Sequence, residues 1–272
     1  MYGGKVPQSL TCNLQAFISV LKSLTSPPQV PRCVFGATAM NYIEIKKEND
    51  RIYSENKHRY TMCSQTFSEI SPTPEVQRKK VFRISENTEK LTSTGCILAH
   101  TNEGRITALN FANAMYAGGG YVLGGNAQEE SLCRSSMLYY TIKTQYEYYR
   151  ANRKHILPDY TDLMIYSCDV PVIRDESGSL LEVPQKCDFI TCPAVNRTFA
   201  KFMFSQKNID LKMKKRIEKI IFLAVENSPD ILVLGAFGCG MFGNKREKVF
   251  PMFEEAVNRY VPDEIRVIFA VP

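Results

Sequence analysis

Short apolar runs rich in β-branched and aromatic residues recur at 80–84, 96–100, 106–111, 164–167, 189–192, 231–235 and 265–271. Runs of this length, bounded by polar and glycine-rich segments, predict strands, and those apolar throughout fit a sheet covered on both faces. Between the later runs, three longer segments repeat their apolar positions every three or four residues, predicting helices at 128–150, about 205–227, and 247–260. Strands alternating with long helices give an α/β fold with a largely parallel sheet. The stretches 175–178 and 183–186 read as a surface hairpin or loop. Residues 1–75 follow another pattern: a short helix at 16–24, a charged stretch at 46–60, and Ser71-Pro72-Thr73-Pro74 as a turn or linker. The expected organisation is an N-terminal accessory extension, 1–75, packed on a body at 76–272.

Composition narrows the classes. Hydrophobic residues make up 44% and charged residues 23%, which suits a globular chain rather than a disordered one. No apolar stretch is long enough for a membrane helix, and no signal peptide is evident. The nine cysteines include no CxxC pair. They are expected to be reduced thiols in an intracellular, cytoplasmic protein. Only three histidines are present, none in metal-ligand spacing, so no metal is expected. The net charge of +6 favours anionic partners without implying specific nucleic-acid binding. Its densest basic run, 212–219, reads as the solvated face of a helix or as a rim attracting an acidic polymer. The tyrosines at 139, 140, 146, 148 and 149 fall all round one helix and are expected to pack rather than to stack bases.

Two glycine-rich loops carry the candidate chemistry. Gly235-Ala236-Phe237-Gly238-Cys239-Gly240-Met241-Phe242-Gly243-Asn244 follows a strand and precedes a helix. It contains G-x-G-x-x-G, but too few residues follow for a dinucleotide fold, and no GK[ST] follows for a phosphate-binding P-loop. It is either an anion cradle of backbone N–H groups or a tight packed turn. Cys239 within it reads as a small turn residue or a reactive thiol. The other loop ends a strand at Asn110-Phe111, then runs through Asn113, Gly118-Gly119-Gly120 and Gly124-Gly125 to Gln128-Glu129-Glu130, where a helix starts. Acids favour a helix N-terminus, which alone would explain the glutamates. So many glycines cost conformational entropy, and they suit a ligand that approaches the backbone closely.

Gly118-Gly119-Gly120, seven further residues and Gln128-Glu129-Glu130 resemble the signature of poly(ADP-ribose) glycohydrolases. Segments 165–171 and 190–196 resemble those of the family's short, bacterial-type members, and the likeness covers about 75–272. It implies a macrodomain-like, three-layer α/β/α sandwich with a mixed, largely parallel sheet. It also implies hydrolysis of the ribose–ribose O-glycosidic bond, mainly from the free end, releasing ADP-ribose without metal or cofactor. Glu130 then matches the catalytic glutamate and Glu129 its neighbour that holds ribose hydroxyls. Asn113 matches a residue binding the distal ribose, and Asn110 stands where long forms have Asp. Gln128, Gly118, Gly119 and Gly120 belong to the same ADP-ribose-binding loop. Gly235, Ala236, Gly238, Cys239, Gly240, Met241 and Phe242 match the diphosphate loop, with Phe242 against the terminal ribose. The expected partner is poly(ADP-ribose) or an ADP-ribosylated protein, acted on by a monomer away from membranes. Alternatives are a hydrolase of single ADP-ribose units on protein or nucleic acid, and a non-catalytic ADP-ribose reader.

Consecutive residues on a helix point about 100° apart, so Glu129 and Glu130 are not expected to flank one anomeric carbon. One carboxylate acting twice, around an oxocarbenium-like species, fits better. A proton on it at neutral pH would come from the neighbouring carboxylate, the bound diphosphate and burial under the ligand.

Overall fold

The computed structural model describes residues 41–272. Seven strands form one sheet: β1 (Cys63–Phe67), β2 (Thr88–Glu89), β3 (Ile106–Phe111), β4 (Met164–Arg174), β5 (Leu180–Cys192), β6 (Ile231–Gly235) and β7 (Arg266–Ala270). Their order is β1-β4-β5-β3-β6-β7-β2. From β5 to β2 the neighbours run parallel, while β1, β4 and β5 pair antiparallel.

Alternation along the strands feeds two apolar layers. On β6, Leu232 and Leu234 face one cluster, with α6 (Arg197–Ala200), α7 (Gln206–Glu226) and α8 (Arg246–Tyr260). Ile231 and Val233 face the other, with α2 (Ser93–His100), α3 (Gln128–Ser135), α4 (Leu138–Ile142) and α5 (Tyr146–Lys154). The three-layer α/β/α sandwich is therefore present, with both sheet faces covered.

Several expectations change. Segment 96–100 lies in a helix, because Thr92 caps the first turn by accepting from Gly95 N at 3.1 Å. A short buried apolar run has no periodicity to separate helix from strand, and the cap decides. Segment 80–84 joins no ladder. Its backbone is satisfied by α8: Phe82 N donates to Asn258 Oδ1 at 2.6 Å and Ile84 N to Glu254 Oε1 at 2.8 Å.

The helix expected over 128–150 breaks into α3, α4 and α5. Ser136 is extended and bridges Val172, and Ser135 and Ser136 turn their hydroxyls onto Leu132 O. Residues 175–178 form the β4–β5 turn, whereas 183–186 belong to β5 itself. Tyr140, Tyr148 and Tyr149 are buried, while Tyr146 points outward.

The short helix expected at 16–24 lies outside the described residues. Residues 41–75 contribute to the same sheet and layers as the rest of the described residues. They supply α1 (Tyr42–Asn56) and the edge strand β1. Strand register places Cys63 opposite Cys168, and the two form a disulfide; the expectation of reduced thiols fails for this pair. Cys96, Cys133, Cys187 and Cys192 are free and buried; Cys12 and Cys33 lie outside the described residues.

The basic run on α7 is largely neutralised rather than openly solvated. Lys212 pairs with Asp159, Lys214 with Glu255, and both Arg216 and Lys219 with Asp162. Among the described residues, no helix is long and apolar enough to cross a membrane.

Candidate active site

Strand β3 ends beside the start of α3, and Gln128 joins them. Its Oε1 accepts from Phe111 N at 2.9 Å, and its Nε2 donates to Leu109 O at 2.8 Å and Ser93 Oγ at 3.0 Å. Gln128, expected in ADP-ribose binding, thus extends the hydrogen-bonding edge of β3. The staple sets both glutamates of the same turn at the sheet's carboxyl end.

Glu129 and Glu130 are buried, 2% and 9% exposed. Glu129 Oε2 accepts from Asn113 N at 2.7 Å, and its Oε1 from Asn110 Nδ2 at 3.3 Å. Glu130 Oε1 accepts from Gly120 N at 2.7 Å and its Oε2 from Ala127 N at 3.0 Å. The side chains do not splay as their helical positions suggest. Both fold over Gly119, where an added Cβ would lie 2.6 Å from Glu130 Oε1 and 3.1 Å from Glu129 Oε2. Gly119 also holds φ +54°, so the carboxylates meet where a side chain is excluded twice over.

Burial pushes the Glu129 carboxyl up to about 8. The Asn113 N–H works against this shift and the neighbouring Glu130 adds to it. Asn110 is fully buried behind Glu129. Its Nδ2 also reaches Thr191 Oγ1 at 3.2 Å, and its Oδ1 is buried without a partner. The Asn113 Oδ1 is occupied by the N–H groups of Met115 and Tyr116.

The second glycine loop leaves β6 across from Phe111. Phe237 is buried with its ring 5.7 Å from that of Phe111. The glycines divide by role. Gly238 has φ +69°, and its absent Cβ would meet Ala194 Cβ at 2.5 Å; Gly243 has φ +68° and abuts Thr198. These two are required by the fold. A Cβ on Gly240 meets nothing within 4 Å, so Gly240 presents open backbone at the tip, beside the exposed Met241. Burial pushes the Cys239 thiol up to about 11, which favours a turn residue over a nucleophile.

Residues the sequence reading passed over hold this loop. Asn244 Nδ2 donates to Val195 O at 2.8 Å and Gly238 O at 3.2 Å, and Asn244 Oδ1 accepts from Arg197 Nε at 3.1 Å. Arg197 is anchored by Gln206 and Asp210. Thr198 N donates to Phe242 O at 3.2 Å, and Phe242 packs on Tyr160 with centroids 5.9 Å apart. The Arg197 signal was long-range and lacked a motif.

A cavity of about 390 Å³ lies beside the start of α3, and neither glutamate nor Gly240 is part of its wall. Phe111, Ala127 and Gln128 line one side; Ala236, Arg246 and Ala270 line the other. Arg246, in the first turn of α8, carries no motif in the sequence. Among the described residues no group of side chains is arranged to hold a metal ion. The site therefore combines two carboxylates on one side, an exposed main-chain tip and a basic residue, a set that can protonate an oxygen beside a bound anion.

A family model for the microbial-type PARG catalytic domain matches residues 36–175. No curated protein matches the chain. Among solved structures, poly(ADP-ribose) glycohydrolase from Thermomonospora curvata superposes with a TM-score of 0.73 at 27% identity, over 84% of this chain and 92% of that one. Its complex with the inhibitor ADP-HPD gives 0.69 at 26%, over 85% and 92%. The Deinococcus radiodurans enzyme in complex with ADP-ribose gives 0.62 at 32% identity, over 68% and 75%. With the macrodomain-like sandwich and the paired glutamates in place, these likenesses show that the chain belongs to the microbial-type poly(ADP-ribose) glycohydrolases, a family of glycosidases.

Proposed function

We propose that this chain hydrolyses the ribose–ribose bond of poly(ADP-ribose), releasing ADP-ribose from the free end, with Glu130 as its acid and base. The observation that carries the reading is the convergence of two buried carboxylates over Gly119, each held by a backbone N–H of the glycine loop. The terminal ADP-ribose would lie across the two glycine loops, with its diphosphate at the open Gly240 backbone and its distal ribose at Asn113 and Phe242, next to the 390 Å³ cavity lined by Gln128 and Arg246.

Both carboxylates sit on one side of the sugar, which suits neither geometry in which two acids flank the bond. Glu130 gives its proton to the departing ribose oxygen, then takes one from the water that attacks the oxocarbenium-like carbon. Glu129, with its carboxyl raised to about 8, is largely neutral at pH 7. It adds little negative charge beside the diphosphate while it holds the ribose hydroxyls.

The test uses polymer of defined length and Glu130→Ala. Wild-type protein should release single ADP-ribose units from the start. The variant should lose turnover by about 10³-fold, within the range a positioned acid–base group supplies, and still bind ADP-ribose. Wild-type turnover confined to single protein-linked units would support a mono-ADP-ribosyl hydrolase. Binding without products would support a reader.

A further inference from the structure

Beside the cleft lies a second cavity of about 280 Å³, lined by Tyr42, Arg134 and Arg174 among others. Arg134 is only 8% exposed, and among the described residues its donors meet no carboxylate. A buried guanidinium with no carboxylate at ion-pair distance among the described residues is costly, so its contacts call for a reason. One nitrogen donates to Gly125 O and the other to Asn126 Oδ1 at 2.7 Å, and its face lies 3.9 Å from the centre of the Tyr42 ring.

Those contacts converge on one loop. Gly125 and Asn126 lie between Gly120 and Ala127, whose N–H groups are the two donors that hold Glu130. Gly125 N closes the loop onto Gly120 O at 2.9 Å, and a Cβ on Gly125 would lie 3.0 Å from Glu130 Cγ. Helix α1 grips the same assembly at two further points. Asn49 Nδ2 donates to Arg134 O at 2.9 Å and to Tyr121 Oη at 3.2 Å, next to Gly120.

We propose that Arg134, backed by Tyr42 of α1, is a positioning residue for Glu130. Its planar fork ties two acceptors of loop 120–127 at once, which keeps the Gly120 and Ala127 N–H groups aimed at the carboxylate. A lysine, with one compact ammonium, cannot reproduce that fork. The inference rests on Glu130 being the acid. It makes α1 part of the catalytic apparatus, although the helix contributes no group to the reaction.

Arg134→Ala, Arg134→Lys and Tyr42→Leu test it, with kcat and KM on polymer, ADP-ribose affinity and crystal structures of folded variants. Misplacement of a reacting group by about 1 Å costs on the order of 10²-fold. Arg134→Ala should lose about that much in kcat, with KM and ADP-ribose affinity within about threefold of wild type, and Glu130 should be displaced in its crystal. Arg134→Lys should fall in the same direction. Free guanidinium at millimolar concentration should enter through the 280 Å³ cavity and restore part of the Arg134→Ala kcat. It should not rescue Glu130→Ala.

A folded Arg134→Ala with unchanged kcat and an unmoved Glu130 overturns the proposal. Loss of affinity at constant kcat also overturns it, by placing Arg134 in ligand binding. If Arg134→Ala does not fold, Arg134→Lys and Tyr42→Leu decide by the same measurements. If wild-type protein releases no ADP-ribose, the functional reading fails, and the position of Glu130 in the variant crystals still decides this one.

Discussion

Burial holds the Glu129 carboxyl near 8, so the folded protein keeps a proton that the unfolded chain releases at its ordinary value of 4.5. Between those two values the folded state binds more protons than the unfolded state, and stability through this group falls as pH rises. Thermal unfolding followed from pH 5 to pH 9 should show it. Glu129→Gln should melt above wild type at pH 8 and higher, and the gap should close towards pH 5. The glycines permit an equally sharp comparison. Gly119→Ala meets a positive φ and the Glu130 carboxylate, so turnover should fall by about 10²-fold through displacement of the acid, even where ADP-ribose still binds. That reason differs from blockage of a ligand by a side chain. Gly240→Ala meets open space; its melting temperature should match wild type while ADP-ribose affinity falls, as calorimetry would record. An unchanged affinity would remove close backbone approach from the reading.

Among the elements, α8 is the most revealing, because its side chains replace a strand. Asn258 receives Phe82 N at 2.6 Å and donates to Phe82 O at 3.0 Å, as a neighbouring strand would. Asn258→Ala should therefore cost about 2 kcal/mol, the scale for stranding partly buried backbone groups, measurable by urea unfolding. The pairing explains why 80–84 misled: an apolar run names a need for burial, not the group that satisfies its backbone. The run at 106–111 was legible because glycines and polar residues bound it and both its faces are buried. The position of the glutamates at a helix start was legible from local order, whereas their roles rest on the family resemblance, because acids at a helix N-terminus have a sufficient local explanation. Arg197, Asn244 and Arg134 were not legible, because each acts on a segment remote in sequence or on a loop whose closure only the fold reveals. Serine pairs such as Ser135-Ser136 are weak signals, and only the bridge to Val172 shows that the helix stops there.

For the molecule as a whole, the Cys63–Cys168 disulfide closes a separation of 105 residues. Loops of that size confer up to about 4–5 kcal/mol when cross-linked, by restricting the unfolded chain. Reduction should lower the melting temperature clearly. It should leave kcat unchanged, since β1 and β4 lie on the far side of β5 from β3 and the candidate acids. A coupled loss of turnover would show that the sheet transmits strain to the site. The pairing follows from register between two strands, which no spacing of cysteines in the sequence discloses.

At the opposite margin of the sheet, β2 is only two residues long. It takes Phe269 N on Asn87 O at 2.8 Å and Val271 N on Glu89 O at 3.0 Å, and the chain then turns away into α2. The outer hydrogen-bonding groups of β7 are thereby consumed, and what remains facing solvent is too brief a template to recruit a foreign strand. Concentrated solutions of the folded protein should accordingly resist fibril growth from this margin.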